Sequence, residues 1–216
     1  MEYRAVDRTR PLEEVREEIN ELIFLGESYK DSKMYEEAGC IYYEVARLIE
    51  GYFRHFETAQ EKFQESARCF LKIHSSTVYD CYQKILDLLM KDNKLNLAIQ
   101  DCFIFGHKFG TLYRDEEKRE SFFKRGDQIR VEHGKSHRCP KTSFDLSDYE
   151  DDVQKAFKDY DMFNIKKDLP VFGHITYTSA CRNCIDVYGH LCDFIKEKQR
   201  EEVEKENRDE NNEKII

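Results

Sequence analysis

Apolar residues recur at helical spacing from about residue 12 to residue 132, and this periodicity limits the fold more than any other feature of the chain. It predicts six consecutive helices. The first opens at Pro11, with Glu13 and Glu14 suited to the positive end of a helix, and carries Val15, Ile19, Leu22, Ile23 and Tyr29. After a break at Lys30-Asp31-Ser32, a second holds Ala38, Ile41, Tyr42, Val45, Leu48, Ile49 and Tyr52. Further helices are expected over 57–74, 77–91, 94–109 and 114–131, with a turn at Asp92-Asn93. Only 3 Pro and 9 Gly interrupt the chain, so turns are few, and segments alternating apolar with polar residues are scarce. The expected class is all-α.

The stretch Leu22 to Tyr42 narrows this further. Leu22-x2-Leu25-Gly26-x2-Tyr29 is followed, after eight intervening residues, by Ala38-x3-Tyr42. These are the spacings of a tetratricopeptide hairpin, in which small residues let two antiparallel helices approach and aromatics fill the groove between them. Leu stands where Trp is usual, and the closing Pro is missing. A second frame, Tyr82-x2-Ile85-Leu86-x2-Leu89 and then Ala98-x3-Cys102, fits less well. It lies sixty positions on, which is not a multiple of the 34-residue tetratricopeptide period. The pattern predicts tetratricopeptide-like antiparallel hairpins, a solenoid or bundle, with irregular helices rather than a regular array.

Beyond residue 132 the composition changes. Residues 133–170 hold two of the three prolines and a dense run of acids. They read as an acidic, partly disordered linker with one short helix near 148–160. A C-terminal helix is expected over 171–200. A charged tail, 201–216, has no apolar stripe and is expected to fray.

The formal net charge of −9 disfavours nucleic acid and anionic membrane as partners, since both reward basic patches. No apolar run is long enough for a membrane span, and the first ten residues lack the apolar core of a signal peptide. The 8 Cys therefore read as reduced thiols in cytoplasm or nucleus.

Cys181-x2-Cys184, with His190 and Cys192 following, is the sharpest metal candidate. If the segment is one helix, Cys181, Cys184, Ile185, Tyr188, Cys192 and Ile195 share a stripe and His190 faces away. Cys192 then lies about 16 Å along the axis from Cys181, beyond one ion. A buried or partner-docking stripe of Cys181, Ile185, Tyr188, Cys192 and Ile195 is the preferred reading, and no metal or cofactor is expected. His137-x-Cys139 could complete a metal site, but such pairs are common by chance. No phosphate-binding Gly-rich motif occurs, and none of the 7 His pairs with a nucleophile in a recognisable pattern, so the chain is not expected to be an enzyme. Ser147, with Glu150 three residues on, reads first as a capping box and second as an acidic-kinase phosphosite.

The stretch AGCIYYEVARLIEGYFRHFETAQEKFQESARCFLK, Ala38 to Lys72, carries a family resemblance. Cys40, Ala46-Arg47, Phe53, His55 and the run Ala67-Arg68-Cys69-Phe70-Leu71 resemble the forty-kilodalton huntingtin-associated family, within the attachment-protein branch of tetratricopeptide-like folds. LLMKDNKLNLAIQDC, Leu88 to Cys102, is similar to that family's next hairpin. The resemblance covers about half the chain. This chain is shorter and poorer in Ala, and has an acidic segment where the family has a Pro-rich insert. The resemblance implies an all-helical adaptor gripped by a much larger helical-repeat protein, huntingtin, and a link to endosome and vesicle traffic. An attachment-protein-like trafficking factor is the alternative, and it would be expected to show a basic concave face.

Overall fold

A computed structural model describes residues 9–137, 139, 141–163 and 181–213. Among the described residues the chain is all-helical, without strands. The helices are α1 (Leu12–Asp31), α2 (Tyr35–Leu48), α3 (Phe56–Lys72), α4 (Val78–Lys91), α5 (Leu95–Lys108), α6 (Glu116–Glu132), α7 (Val153–Phe163) and α8 (Arg182–Glu213). Sequence neighbours pack together: α1 on α2, α2 on α3, α3 on α4 and α7 on α8. No described helix is long and apolar enough to cross a membrane. The chain forms two compact units, Met1–Ala98 and Ile99–Ile216, divided within α5.

In the first unit the apolar stripes meet as their spacing requires. Val15, Ala38, Val45, Ala59, Phe63, Val78, Ile85 and Leu86 are fully buried. Small residues set the closeness of the packing. A Cβ on Gly26 would stand 3.1 Å from Ile41 and 3.3 Å from the Tyr42 ring, so α1 lies tight against α2. A Cβ on Gly39 would come within 2.9 Å of Phe70, so α2 lies tight against α3. The buried Ser66 hydroxyl donates to the Gly39 carbonyl at 2.7 Å and fixes that same crossing.

The helical region repeats with a period of sixty. Both α2 and α5 run on into a single π-helical turn, Ile49–Phe53 and Phe109–Tyr113. Each turn ends on an arginine in the left-handed region, Arg54 at φ 53° and Arg114 at φ 52°. Left-handed residues also close the preceding turns, at Lys33 and Asn93, and the following ones, at His74 and Gly134. The ends of α1 and α4, α2 and α5, and α3 and α6 keep the same offset. The poorly fitting second sequence frame therefore marks a true period. Its unit is three helices with a π turn, not the two-helix, 34-residue hairpin.

In the second unit α6 packs on α5 through rings. Phe103 meets Phe123 at 5.4 Å between centroids, and Phe109 meets Phe122 at 5.7 Å. Gly126 lets α6 approach Phe103 and Cys102. Arg182 bonds Glu120 at 2.8 Å and Arg119 bonds Asp186 at 3.4 Å, tying α8 to α6. A Cβ on Gly189 would sit 2.7 Å from the His107 ring, so α8 also touches α5.

Two expectations change here. The described part of the acidic linker is packed: Tyr149 and Ala156 are wholly buried with Cys184, Val187 and Leu191. The acids between them face solvent while Phe144, Val153 and Phe157 pack inward, so composition masked an amphipathic segment. The C-terminal helix starts at Arg182, and the charged tail stays helical to Glu213, with Lys198 and Glu201 paired one turn apart. The expected start near 171 lies outside the described residues.

Candidate functional site

The CxxC pair sits at the opening of α8. Cys181 precedes the first helical residue, and its carbonyl accepts the Ile185 N–H at 3.1 Å. Its sulfur accepts the Cys184 N–H at 3.4 Å, one of the donors a helix start leaves unpaired. Opposite stands the segment leaving α6. Gly134, at φ 57°, closes that helix, and the Lys135 N–H returns to the Arg130 carbonyl at 2.9 Å. His137 and Cys139 follow.

These two segments bring four donors together. His137 Nε2 lies 3.1 Å from Cys184 Sγ, and Cys139 Sγ lies 3.2 Å from it. The ligand atoms of His137, Cys139, Cys181 and Cys184 all lie within 4.8 Å of one another. Cys184 is buried and the other three are half-buried. The Cys139 thiol donates to the Lys141 carbonyl at 2.8 Å. The Cys181 thiol is pulled below its ordinary value by the Cys184 thiol hydrogen bond, helped by the Cys184 N–H and by His137, against the cost of burial. Cys184 is pushed up by that same bond and by burial. Cys139 is pushed up by burial.

Around the cluster, the Tyr149 hydroxyl accepts from Lys141 Nζ at 2.5 Å and donates to Asp159 at 2.9 Å. Lys141 also bonds Asp148 at 2.9 Å. Phe144 stacks on Tyr149 and on His190.

The sequence-derived site residues fall as follows. Gly26, Ala38 and Tyr42 are buried at the α1–α2 crossing, and Tyr29 packs against the Ala38–Tyr42–Cys69 cluster. Leu22 is half-buried, but Leu25 is 38% exposed and lies outside the crossing. Ile185 and Ile195 are buried within the chain's own second unit, and Tyr188 stacks on Tyr160 at 5.1 Å, so that stripe docks internally. Cys192 is half-buried outside the thiol cluster, and His190 lies against Phe144. Cys181, just before the first helical residue, packs with Tyr188 against the same buried cluster as Ile195. Ser147 is exposed and donates to Asp145 at 2.8 Å. Asp145 caps the short turn at 146–148, and Asp152 accepts from the Lys155 N–H at 3.0 Å in the first turn of α7, so Ser147 forms no capping box. Sequence reasoning set aside His137 and Cys139; their one signal was His-x-Cys complementing Cys-x2-Cys.

A second cleft, about 370 Å³, lies between α5, α6 and α8 and is lined by His107, Arg119, Asp186, His190 and Asp193. Burial holds the His107 imidazole below its usual value. The hydroxyl in this cleft, from Thr111, donates to the His107 carbonyl at 2.9 Å.

No family model matches the chain, and neither a curated protein nor a solved structure does.

Proposed function

We propose that this chain is a non-catalytic helical scaffold that binds another protein. The partner is a much larger helical-repeat protein of the huntingtin kind, and the setting is endosome and vesicle traffic in the cytoplasm. One observation carries the proposal. Phe24, in the body of α1, is 76% exposed, with Leu25 beside it. Phe24 follows Val15 by nine residues, half a turn round the helix from the face that packs on α2. An aromatic standing in water on a rigid helix is a suitable anchor for a partner groove. The resemblance of Ala38 to Lys72 to the huntingtin-associated family supports the choice of partner.

The test compares tagged wild-type chain with Phe24→Glu in pull-downs from cells of the native source, followed by mass spectrometry. Wild type should recover one very large helical-repeat protein in near-equal amount. Phe24→Glu should lose it while keeping the wild-type urea midpoint, because the side chain is already solvated. Recovery of membrane-fusion machinery instead would favour the attachment-protein reading. A stable, partner-free chain would overturn the scaffold.

A further inference from the structure

We propose that His137, Cys139, Cys181 and Cys184 bind one zinc ion, which fastens the start of α8 to the segment leaving α6. The site is independent of the scaffold reading and of its partner.

The donor set comes first. Three sulfurs and one imidazole from two distant half-sites, His-x-Cys and Cys-x2-Cys, converge on one point. Cys3His is a recurrent structural zinc set, and thiolate with imidazole is a poor match for magnesium or calcium, which take oxygen. Distances agree. With Zn–S near 2.3 Å and Zn–N near 2.0–2.1 Å, a tetrahedron places its ligand atoms about 3.5–3.8 Å apart. Two of the separations are 3.1 and 3.2 Å, and none exceeds 4.8 Å.

A disulfide explains the cluster less well. Cys139 and Cys184 stand 3.2 Å apart, against about 2.05 Å for a bond, and any single bridge strands a third sulfur and the histidine. Burial points the same way. Three thiols and an imidazole facing one another make poor hydrogen-bond partners, whereas each gives zinc a strong bond.

The surroundings suit the charge. Three thiolates and a neutral imidazole around Zn²⁺ carry one net negative charge. They sit at the N-terminus of the long helix α8, whose dipole favours an anion. The Cys184 N–H already points at Cys181 Sγ, as an outer hydrogen bond to a bound thiolate would. Binding releases whatever protons the thiols still carry and breaks the contact from Cys139 to the Lys141 carbonyl. With four protein ligands no position is left for water or substrate, so the ion is structural.

The full-length chain, purified under reducing conditions without added metal, should carry one zinc per chain by elemental mass spectrometry. Chelation should lower helical circular dichroism and speed amide exchange in α8 and 141–149, and added zinc should restore both. Cobalt should give the intense visible absorption of a tetrahedral thiolate site. His137→Asn, at a half-exposed ligand, should weaken zinc by more than the roughly 10–100-fold that losing an outer-shell partner costs. Cys184→Ser should abolish binding. His190→Asn and Cys192→Ser, on the same helix but outside the cluster, should keep stoichiometric zinc. If Cys184→Ser fails to fold, the His137→Asn titration and the cobalt spectrum decide. Wild-type chain without zinc that also fails to take up cobalt would overturn the proposal, as would equal loss of zinc from His190→Asn and His137→Asn.

Discussion

Replacing Gly106 by alanine inserts a methyl group into the seam between α5 and α6. A Cβ there would lie 2.5 Å from two ring carbons of Phe123 and 3.0 Å from the Arg119 carbonyl oxygen. Ordinary carbon contacts are about 3.5–4.0 Å, so the ring must retreat by about 1 Å. It has nowhere to go. Phe123 is buried, packs on Phe103, and lies under the guanidinium groups of Arg119 and Arg182. Overpacking of this kind costs about 1–3 kcal/mol, and a contact this short belongs at the upper end. The gain in helix propensity from Gly to Ala returns about 1 kcal/mol. Gly106→Ala should therefore destabilise the second unit by about 1–2 kcal/mol, on the difference of those two terms. With the ring removed, in a Phe123→Leu background, the same change should be neutral or stabilising by up to about 1 kcal/mol. Urea unfolding of the four proteins, followed by circular dichroism and by amide exchange in α5 and α6, measures the cycle. Stabilisation by Gly106→Ala in the wild-type background would show that propensity alone decides and that this seam is not close-packed.

Other expectations are simpler to test. Tyr149→Phe removes the hydroxyl between Lys141 and Asp159 and should cost about 1–2 kcal/mol, read as a lower urea midpoint. Burial lowers the His107 value, so the folded state favours neutral imidazole. That contribution is complete above the unfolded value of about 6.5 and is lost as pH falls from there through the lower folded value, so the second unit should weaken on acidification. His107→Gln should flatten that slope in urea titrations run across the window. Cys81 and Cys102 are pushed up to about 12 by burial, so alkylation mapped by mass spectrometry near pH 8 should leave both unlabelled until the chain unfolds.

The six helices up to Glu132 were legible because their stripes are continuous and their breaks carry turn residues. The Gly26–Tyr42 contact was legible too, since glycine at that spacing has a packing use. The sixty-residue period was visible in Tyr82, Ile85, Ala98 and Cys102, but its meaning was not. A π turn adds no distinctive residue, and a left-handed arginine looks like any other. The thiol cluster was hidden for two reasons. A buried stripe of Cys, Ile and Tyr accounts for Cys181 and Cys184 without any metal, and Cys181 does pack there with Tyr188, so the pair carries no separate signal. Its complementary half-site also lies in an acidic segment where charge obscured Phe144 and Tyr149, the residues that fold that segment inward.

The three-helix period also bears on how the chain folds as it is synthesised. In the first copy α1 pairs with α2 and α2 with α3, and in the second α6 packs on α5, so these contacts close short loops and can form early as the chain leaves the ribosome. The cluster of His137, Cys139, Cys181 and Cys184 is the opposite case, because its halves meet only after the long intervening segment has emerged. It is accordingly among the last contacts to form. A nascent chain that stops before residue 181 leaves His137 and Cys139 without their counterparts, and Tyr149 and Ala156 without the helix that covers them. Such a chain shows quality control a half-formed thiol cluster and an uncovered apolar face, and the finished chain completes both in one step.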